Sequence, residues 1–577
     1  MGCLPWSMIH SCSSLLSILV PIYFSRQRPV VESRRVQFLT SELVSDSIYS
    51  NFKMKFLFFT VLLLLYIGHC MSANILAFLP TFARSHYGGF QPLLKELAVR
   101  GHNVTVLSHF PLKNPPPNYH HIDVSIKERQ DNNFSMLSIA PYLKPLIIPI
   151  GTLFFASQFT LETLNNIKVK EFIHSDGYQF DVVIFENFQH ECFVSMSHKF
   201  GAHAIQLFPA TPTAFPSQWY SQPFNPSYIP DPNSGYKDHM TLFERTINFL
   251  VTCLQFFLFP IFYMPKQNEI MLKHFNYTGS ESRPSLEEMM KNISLTLINT
   301  HFTLGTPRPL VPSFIEVAGM HLKPSSKLPK DLQELMDNSP DGVVYFSFGS
   351  VVKGSHLPMY QVEMFLRQLS QIKQKVLWKW ESDNLPELPP NVVVRKWFPQ
   401  VDILGHPNCV LFITHGGIHS VEEAVYYGVP MLAISIFGDQ LYNSIMMESR
   451  GAAIRLKYTE LTEKRFGYSL QEILSNTSYK ENAIKLCKIF HDQPIKPLDK
   501  AVYWIEYVIR HNGAHHLKTA GNKLNWFQFL SIDVMFVLII TIFFFFLFSF
   551  YAIKFIYKFV TEFRKYNIET DDDKKDN

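Results

Sequence analysis

Residues 397–443 read WFPQVDILGHPNCVLFITHGGIHSVEEAVYYGVPMLAISIFGDQLYN. Two short apolar runs, 409–414 and 430–435, bracket a stretch at 420–427 whose apolar residues recur at helical spacing. A strand, a helix and a second strand in that order predict a βαβ unit with parallel strands. Thr414, His415, Gly416 and Gly417 fall where the first strand gives way to the helix. Glycine at such a junction lets the backbone approach an anion, and the free amides and positive end of the helix stabilise phosphate charge. His415 and Ser420 can add side-chain hydrogen bonds. A glycine pair is also an ordinary turn, so the surroundings decide what THGG means.

Upstream, a strand at 342–348, a helix at 359–371 and strands at 375–380 and 391–395 extend the same alternation. A second, separate alternation starts earlier. Residues 74–80 read as a buried strand, 90–100 as a helix stopped by Gly101, and 103–108 as a strand, followed by strand candidates at 181–185 and 204–208. Proline-rich stretches at 111–117 and 209–232 read as loops, and another at 306–329 as the linker between the halves. The fold class is therefore α/β, with two Rossmann-like domains. Parallel sheets place ligands beyond the carboxyl ends of their strands. Neither half carries GxGxxG, so nothing supports hydride chemistry with a dinucleotide.

The chain has 577 residues, 47% hydrophobic and 15% aromatic, more apolar material than one core absorbs, which predicts two domains plus membrane segments. The net charge of +4 comes from 52 basic and 48 acidic residues scattered together, which leaves no basic face for nucleic acid. Seven cysteines show no CxxC pair. Cys192, Cys253, Cys409 and Cys487 lie in the expected body and leave room for one or two disulfides, but not for a cysteine framework.

Lys53 and Lys55 flank Met54, and the apolar run 56–67 ends in small or modest residues, which predicts a signal peptide at 54–73. Residues 1–53 read as an extra leader, or as an over-extended start ahead of Met54. The run VMFVLIITIFFFFLFSFYAI at 534–553 is long enough to cross a hydrocarbon core of about 30 Å, and sets a transmembrane helix at 533–553. Lys554, Lys558, Arg564 and Lys565 beyond it place the tail, 554–577, in the cytosol and the body in the lumen. Sequons at Asn103, Asn133, Asn276, Asn292 and Asn476 agree with a lumenal body. Residues 247–264 are nearly as apolar, but Pro260 interrupts them, which favours a buried or membrane-surface helix over a second crossing. Asp571, Asp572 and Asp573 read as a solvated charge run.

The whole of 397–443 resembles the signature of the UDP-glycosyltransferase family, enzymes that glucosidate or glucuronidate small lipophilic compounds in animals and plants. The resemblance runs from about residue 74 to the tail. It includes SFGS at 347–350, the GHNVT of the first βαβ unit at 101–105, and the single anchor with its lysine-bearing tail; the pattern is most like insect members. It implies two domains facing across a cleft, of the GT-B type, with an acceptor domain at 74–325 and a UDP-sugar domain at 326–525. By that resemblance Trp397 stacks on the uracil with Gln400 nearby. His415, Gly417 and Ser420 hold the diphosphate, and Ser350 lies at the neighbouring strand end. Glu423 accepts from the ribose hydroxyls, and Asp439 with Gln440 binds the donor sugar. An indole offers a flat face and a carboxylate two acceptors, so each role suits its side chain. His419 stands where many members have Asn, and Ser435 where many have Pro. Lys574 and Lys575 resemble the dilysine signal that returns type I membrane proteins to the endoplasmic reticulum.

Sugar transfer to a hydroxyl needs a base for the acceptor proton and stabilisation of the leaving diphosphate. His86, leaving the first strand, matches the catalytic histidine of the family. Its carboxylate partner falls at Glu186, after the run FDVVIF, with Glu191 as a nearby competitor; such a partner orients the imidazole and stabilises its cation. Single displacement inverts the anomeric centre. The expected substrates are a UDP sugar, glucose before glucuronate, and a lipophilic alcohol or phenol held by apolar stretches such as 136–155 and 208–220. The resemblance implies no metal and no cofactor beyond the sugar nucleotide as co-substrate. The membrane is the other expected partner, and a homo-oligomer is left open. The competing classes are an anchored protein that keeps the fold without turnover, and a lipid carrier; release of UDP in the presence of phenols separates them.

Overall fold

A computed structural model describes residues 55–60, 72–125, 137, 146–350, 352–383 and 385–572. Residues 1–71 form a unit of their own, in which the described part, 55–60, is helical. The leader, Met54, Asn133, Met136, Lys574 and Lys575 lie outside the described residues.

In the unit from Ser72 onward, seven parallel strands form the first sheet: β1 (Asn74–Leu79), β2 (Asn103–Ser108), β3 (Tyr119–Asp123), β4 (Val182–Glu186), β5 (His203–Phe208), β6 (Leu295–Ile298) and β7 (Phe314–Glu316). Their spatial order is β3-β2-β1-β4-β5-β6-β7. Helix α1 (Arg84–Val99) returns from β1 to β2 and buries Phe90, Leu93, Leu94 and Leu97. It starts six residues before the sequence suggests, because Gly88, Gly89 and Pro92 break the apolar pattern of a helix that tertiary packing nonetheless completes. His86 accordingly sits in the first helical turn and not in a loop. Three strands of this sheet, and β13 (Ala453–Lys457) of the second, have no counterpart in the sequence reading: β3 is a half-exposed edge reading YHHID, β6 is a four-residue run, LTLI, and β7 lies inside the proline-rich stretch read as linker.

Helix α2 (Leu242–Leu258) continues through a widened turn, Phe259–Tyr263, into α3 (Met264–His274). Pro260 lacks the N–H an α-helix needs, and the wider turn absorbs it without breaking the helix, so the expected interruption is a local widening. One face, with Asn248, Val251, Thr252 and Gln255, is buried, while Phe249, Phe257, Ile261 and Phe262 are exposed.

Six parallel strands form the second sheet: β8 (Val343–Ser347), β9 (Lys375–Lys379), β10 (Val392–Arg395), β11 (Cys409–Thr414), β12 (Met431–Ser435) and β13 (Ala453–Lys457), in the order β10-β9-β8-β11-β12-β13. Helix α4 (Ile418–Tyr427) links β11 to β12, and α5 (Gln440–Ser449) links β12 to β13. Helix α6 (Pro497–Arg510) then returns to the first half, where Ala501, Val502, Ile505 and Val508 share a core with Leu93, Leu97 and Val104. The range 326–525 thus includes a helix packed on the first sheet. An amphipathic pattern shows that a helix has an apolar face, not what that face meets.

Helix α7 (Ile532–Asp572) contains the whole of 534–553 and is long and apolar enough to cross a membrane. Cys192, Cys253, Cys409 and Cys487 are all unpaired, so the expected room for a disulfide is not used by these four.

In each sheet the strand order reverses once, between β1 and β4 in the first and between β8 and β11 in the second. Phe78 pairs with Phe185 across the first junction and Ser347 with Thr414 across the second. Crevices at such points are where open α/β sheets bind ligands.

Candidate active site

The carboxyl ends of β1 and β4 bring His86 and Glu186 together. His86 Nδ1 lies 2.5 Å from Glu186 Oε1, and the Thr81 hydroxyl donates to the other carboxylate oxygen. Glu186 is 1% exposed. Burial alone would lower the imidazole pKa of His86, but Glu186, by charge and hydrogen bond, and Asp439 raise it above the ordinary value. Burial pushes the other way on Glu186, and His86, Thr81 and His190 outweigh it and hold the carboxyl below its usual range. Two opposite groups that each favour the other's charged form make a coupled pair. Phe188 stands edge-on against the imidazole, ring centroids 4.6 Å apart.

Glu191 is elsewhere. Its carboxylate accepts from the Tyr263 hydroxyl, and burial pushes its pKa up to about 7. Glu186, the partner read from the sequence, is the carboxylate that lies on His86, and its competitor Glu191 is not.

At the second junction, Gly416 adopts φ +85°, and a Cβ there would lie 2.3 Å from Ser444 Oγ. Gly349 and Gly417 leave room for the His415 ring, since a Cβ on either would fall within 2.6 Å of it. His415 is buried, its Nδ1 has no hydrogen-bond partner, and burial with the nearby Lys379 lowers its pKa to about 4. A neutral imidazole can donate one N–H to an anion. Gly417, the residue before α4, has no side chain with which to cap it. Asp439 Oδ2 accepts from the Ile418 amide at 3.2 Å and from Asn443 at 2.8 Å.

Gln400 Nε2 donates to Glu423 Oε2 at 2.5 Å and approaches Ser420 Oγ at 3.4 Å. Burial raises the Glu423 pKa to about 7, partly offset by Gln400. Trp397 is 65% exposed, with the Lys379 ammonium 5.5 Å from its ring centroid. Ser350 is exposed just beyond β8. The side chain of Gln440 is anchored, its Oε1 accepting from the amides of Ile436 at 2.9 Å and Phe437 at 3.1 Å. Ser435 turns away, its hydroxyl donating to the Leu456 carbonyl. His419 faces the first half, where a Cβ on Gly89 would lie 2.5 Å from its Nε2.

Sequence reasoning missed Thr81, Lys379 and His321. A lysine ending a buried strand, as Lys379 ends β9, was the available signal; its ammonium donates to the Gly349 carbonyl and to Glu381, each at 2.7 Å. A cavity of about 490 Å³ lined by Asn74, Asn103, Thr105 and Tyr178 opens at the amino ends of β1 and β2, away from all of these groups.

Two doubly wound parallel sheets, each with polar groups at its switch point, make the two-domain GT-B fold. Solved structures of that class share the fold. The glycosyltransferase VinC in complex with DTDP gives TM-score 0.51 at 18% identity, covering 77% of this chain and all of that one. A UDP-glucosyltransferase from Polygonum tinctorium gives 0.51 at 14% identity, covering 76% and 99%. Residues 118–566 match the family described as UDP-glucoronosyl and UDP-glucosyl transferase, and the chain belongs to it. UDP-glycosyltransferase UGT5 of Dactylopius coccus is 38% identical over 509 residues, 86% of this chain and 94% of that one. UDP-glucosyltransferase 2 of the same insect is 37% identical, covering 81% and 90%. UDP-glucuronosyltransferase 2B7 of Homo sapiens is 33% identical, covering 84% and 94%. The protein is an enzyme of this family, a UDP-glycosyltransferase.

Proposed function

We propose that the protein transfers a hexose, glucose in the first place, from its UDP sugar to a hydroxyl of a small lipophilic acceptor with inversion at the anomeric carbon. The observation that carries this reading is the His86–Glu186 pair at the carboxyl edge of the first sheet, with Asp439 of the second half near enough to raise the His86 pKa. His86 takes the acceptor proton as oxygen attacks. Glu186 holds the ring and stabilises the imidazolium that forms. The leaving diphosphate meets the amino end of α4, the neutral His415 and Ser420, which together supply the charge stabilisation. Trp397 stacks on uracil, Gln400 and Glu423 take the nucleoside, and Asp439 receives the sugar. Because the Gln440 oxygen is tied to its own loop, that residue acts by shaping the loop and through its remaining amide hydrogens. Similarity to insect glucosyltransferases supports glucose as donor.

The body faces the lumen of the endoplasmic reticulum, with α7 as a single type I anchor. Asn276, Asn292 and Asn476 are exposed on that body, as glycan acceptors require. The exposed aromatic face of α2 and of the widened turn that follows it suits contact with the membrane surface.

The test is incubation of membranes holding the full chain with UDP-glucose, UDP-glucuronate and a phenol panel, read by mass spectrometry. A β-glucoside formed by the wild type and absent with His86→Ala is expected. Binding of UDP-glucose without product from any acceptor would favour an anchored binding protein.

A further inference from the structure

A second constellation of ligating side chains lies beside the donor site and is not used by the proposed transfer. His419 and Glu422 are three residues apart on α4 and therefore share one face of it. His321, in the loop that follows β7, meets that face. One ligating atom from each of the three lies within 4.8 Å of the other two. His321 Nδ1 is 3.5 Å from Glu422 Oε2, and the His321 and His419 rings are 4.6 Å apart.

Glu422 is the informative member. Its side chain is 0% exposed, and neither carboxylate oxygen receives a hydrogen bond. Asn299 lies beside the carboxyl and favours its charged form, while its amide donates to the Pro209 carbonyl at 3.1 Å. His321 Nε2 is likewise buried without a hydrogen-bond partner. A buried acid and imidazole without hydrogen-bond partners cost free energy unless something satisfies them. No lysine or arginine pairs with Glu422 among the described residues. Two imidazoles and one carboxylate converging from two elements form a donor set suited to zinc and metals of similar softness, with a fourth position left for water or another ligand. Tetrahedral zinc with bonds of about 2.0–2.2 Å holds its ligand atoms roughly 3.3 Å apart, so the His321–Glu422 spacing nearly fits already and no pair needs to close by more than about 1.5 Å, within reach of side-chain rotation.

We propose that His321, His419 and Glu422 bind one zinc-class divalent cation, which pins the loop after β7 to the face of α4. His321 Nε2 also lies 3.9 Å from Glu423 Oε1, so the cation would stiffen the carboxylate next in sequence, the one assigned to the ribose. This goes beyond the transfer reaction, none of whose steps needs the ion.

The full chain in detergent is stripped with chelator, then titrated with Zn²⁺ by calorimetry and with Co²⁺ by visible absorption. The expected result is one ion per chain, cobalt bands of the intensity that low-coordinate nitrogen and oxygen sites give, and a melting temperature that rises with zinc. His419→Asn and Glu422→Leu should each weaken zinc binding at least tenfold and abolish the cobalt bands. Melting in chelator shows that the variants fold, and His321→Asn, on a different element, provides an independent check. Equal uptake by wild type and the His419→Asn/Glu422→Leu double variant would mean binding at other histidines and would overturn the proposal. So would the absence of stoichiometric uptake by the wild type at tens of micromolar zinc.

Discussion

His86 and Glu186 stand 100 positions apart in the sequence and 2.5 Å apart in space, Nδ1 to Oε1. Strands β1 and β4 make the meeting unavoidable. They pair in parallel at the switch point, so a group leaving one and a group ending the other arrive at the same edge.

The pair predicts a pH profile. As the proposed base, His86 has to be neutral to act, and Glu186 and Asp439 stabilise its charged form against burial, so the acidic limb of kcat/KM should lie above the ordinary histidine value. In Glu186→Gln the main opposing charge is gone, and burial, with the neighbouring His419 and His190, now dominates. The limb should therefore move to lower pH while the plateau falls by roughly 10²- to 10⁴-fold. A fall in rate with an unmoved limb would mean that Glu186 does not set the ionisation of the base.

Glu191→Gln should behave differently. Glu191 is buried against Tyr263 and contributes to the first-half core, so the variant is expected to melt lower by the equivalent of about 1–3 kcal/mol. Its acidic limb should coincide with that of the wild type. A shifted limb would move the catalytic partnership to Glu191.

Gly416→Ala combines two penalties, a left-handed φ of +85° and a Cβ 2.3 Å from Ser444 Oγ. The strained φ alone is of order 1–3 kcal/mol, and Ser444, packed against the Gln440 carbonyl at 2.6 Å, has little room to retreat. Reduced stability together with weaker UDP binding is expected by melting and calorimetry. Wild-type values in both would show that the junction is pliable.

Sequence alone revealed β11, whose bounds agree to the residue, and the glycine junction after it, because an apolar run ending in THGG carries both a strand signal and its stop. It was weaker wherever neighbours decide the outcome. The exposed edge β3, the three-residue β7 and the early start of α1 owe their form to partners that periodicity does not name. The candidate site followed the same rule. Residues in the local signature and the strand-end Glu186 could be named ahead of the structure, whereas Thr81 and His321 gave no local sign at all.

Helix α6 offers a test of that lesson. Ending the chain at Lys496 removes Ala501, Val502, Ile505 and Val508 from the first-half core. At about 1–2 kcal/mol for each buried aliphatic side chain, the loss approaches the total stability of an ordinary domain, 5–15 kcal/mol. The shortened chain should aggregate, while one ending at residue 525, with α6 kept and α7 removed, should fold. A soluble, UDP-binding chain ending at Lys496 would show that α6 is dispensable.

Donor binding gives the last prediction. Glu423 is buried with one oxygen engaged by Gln400, while Trp397 leaves 65% of its surface open. In the proposed reading Glu423 is the acceptor for the two ribose hydroxyls, so Glu423→Ala should lower UDP affinity by about 1–3 kcal/mol, or roughly five- to a hundredfold. Trp397→Phe keeps a stacking face and should be mild, whereas Trp397→Ala should lose more. Gln440→Ala should leave UDP affinity nearly intact, since UDP carries no sugar, and should instead lower turnover by loosening the loop at Ile436 and Phe437. His86→Ala should also spare UDP binding, because the base addresses the acceptor. Calorimetry that found Glu423→Ala and Trp397→Ala both unchanged would put the nucleotide somewhere other than the β8–β11 switch point.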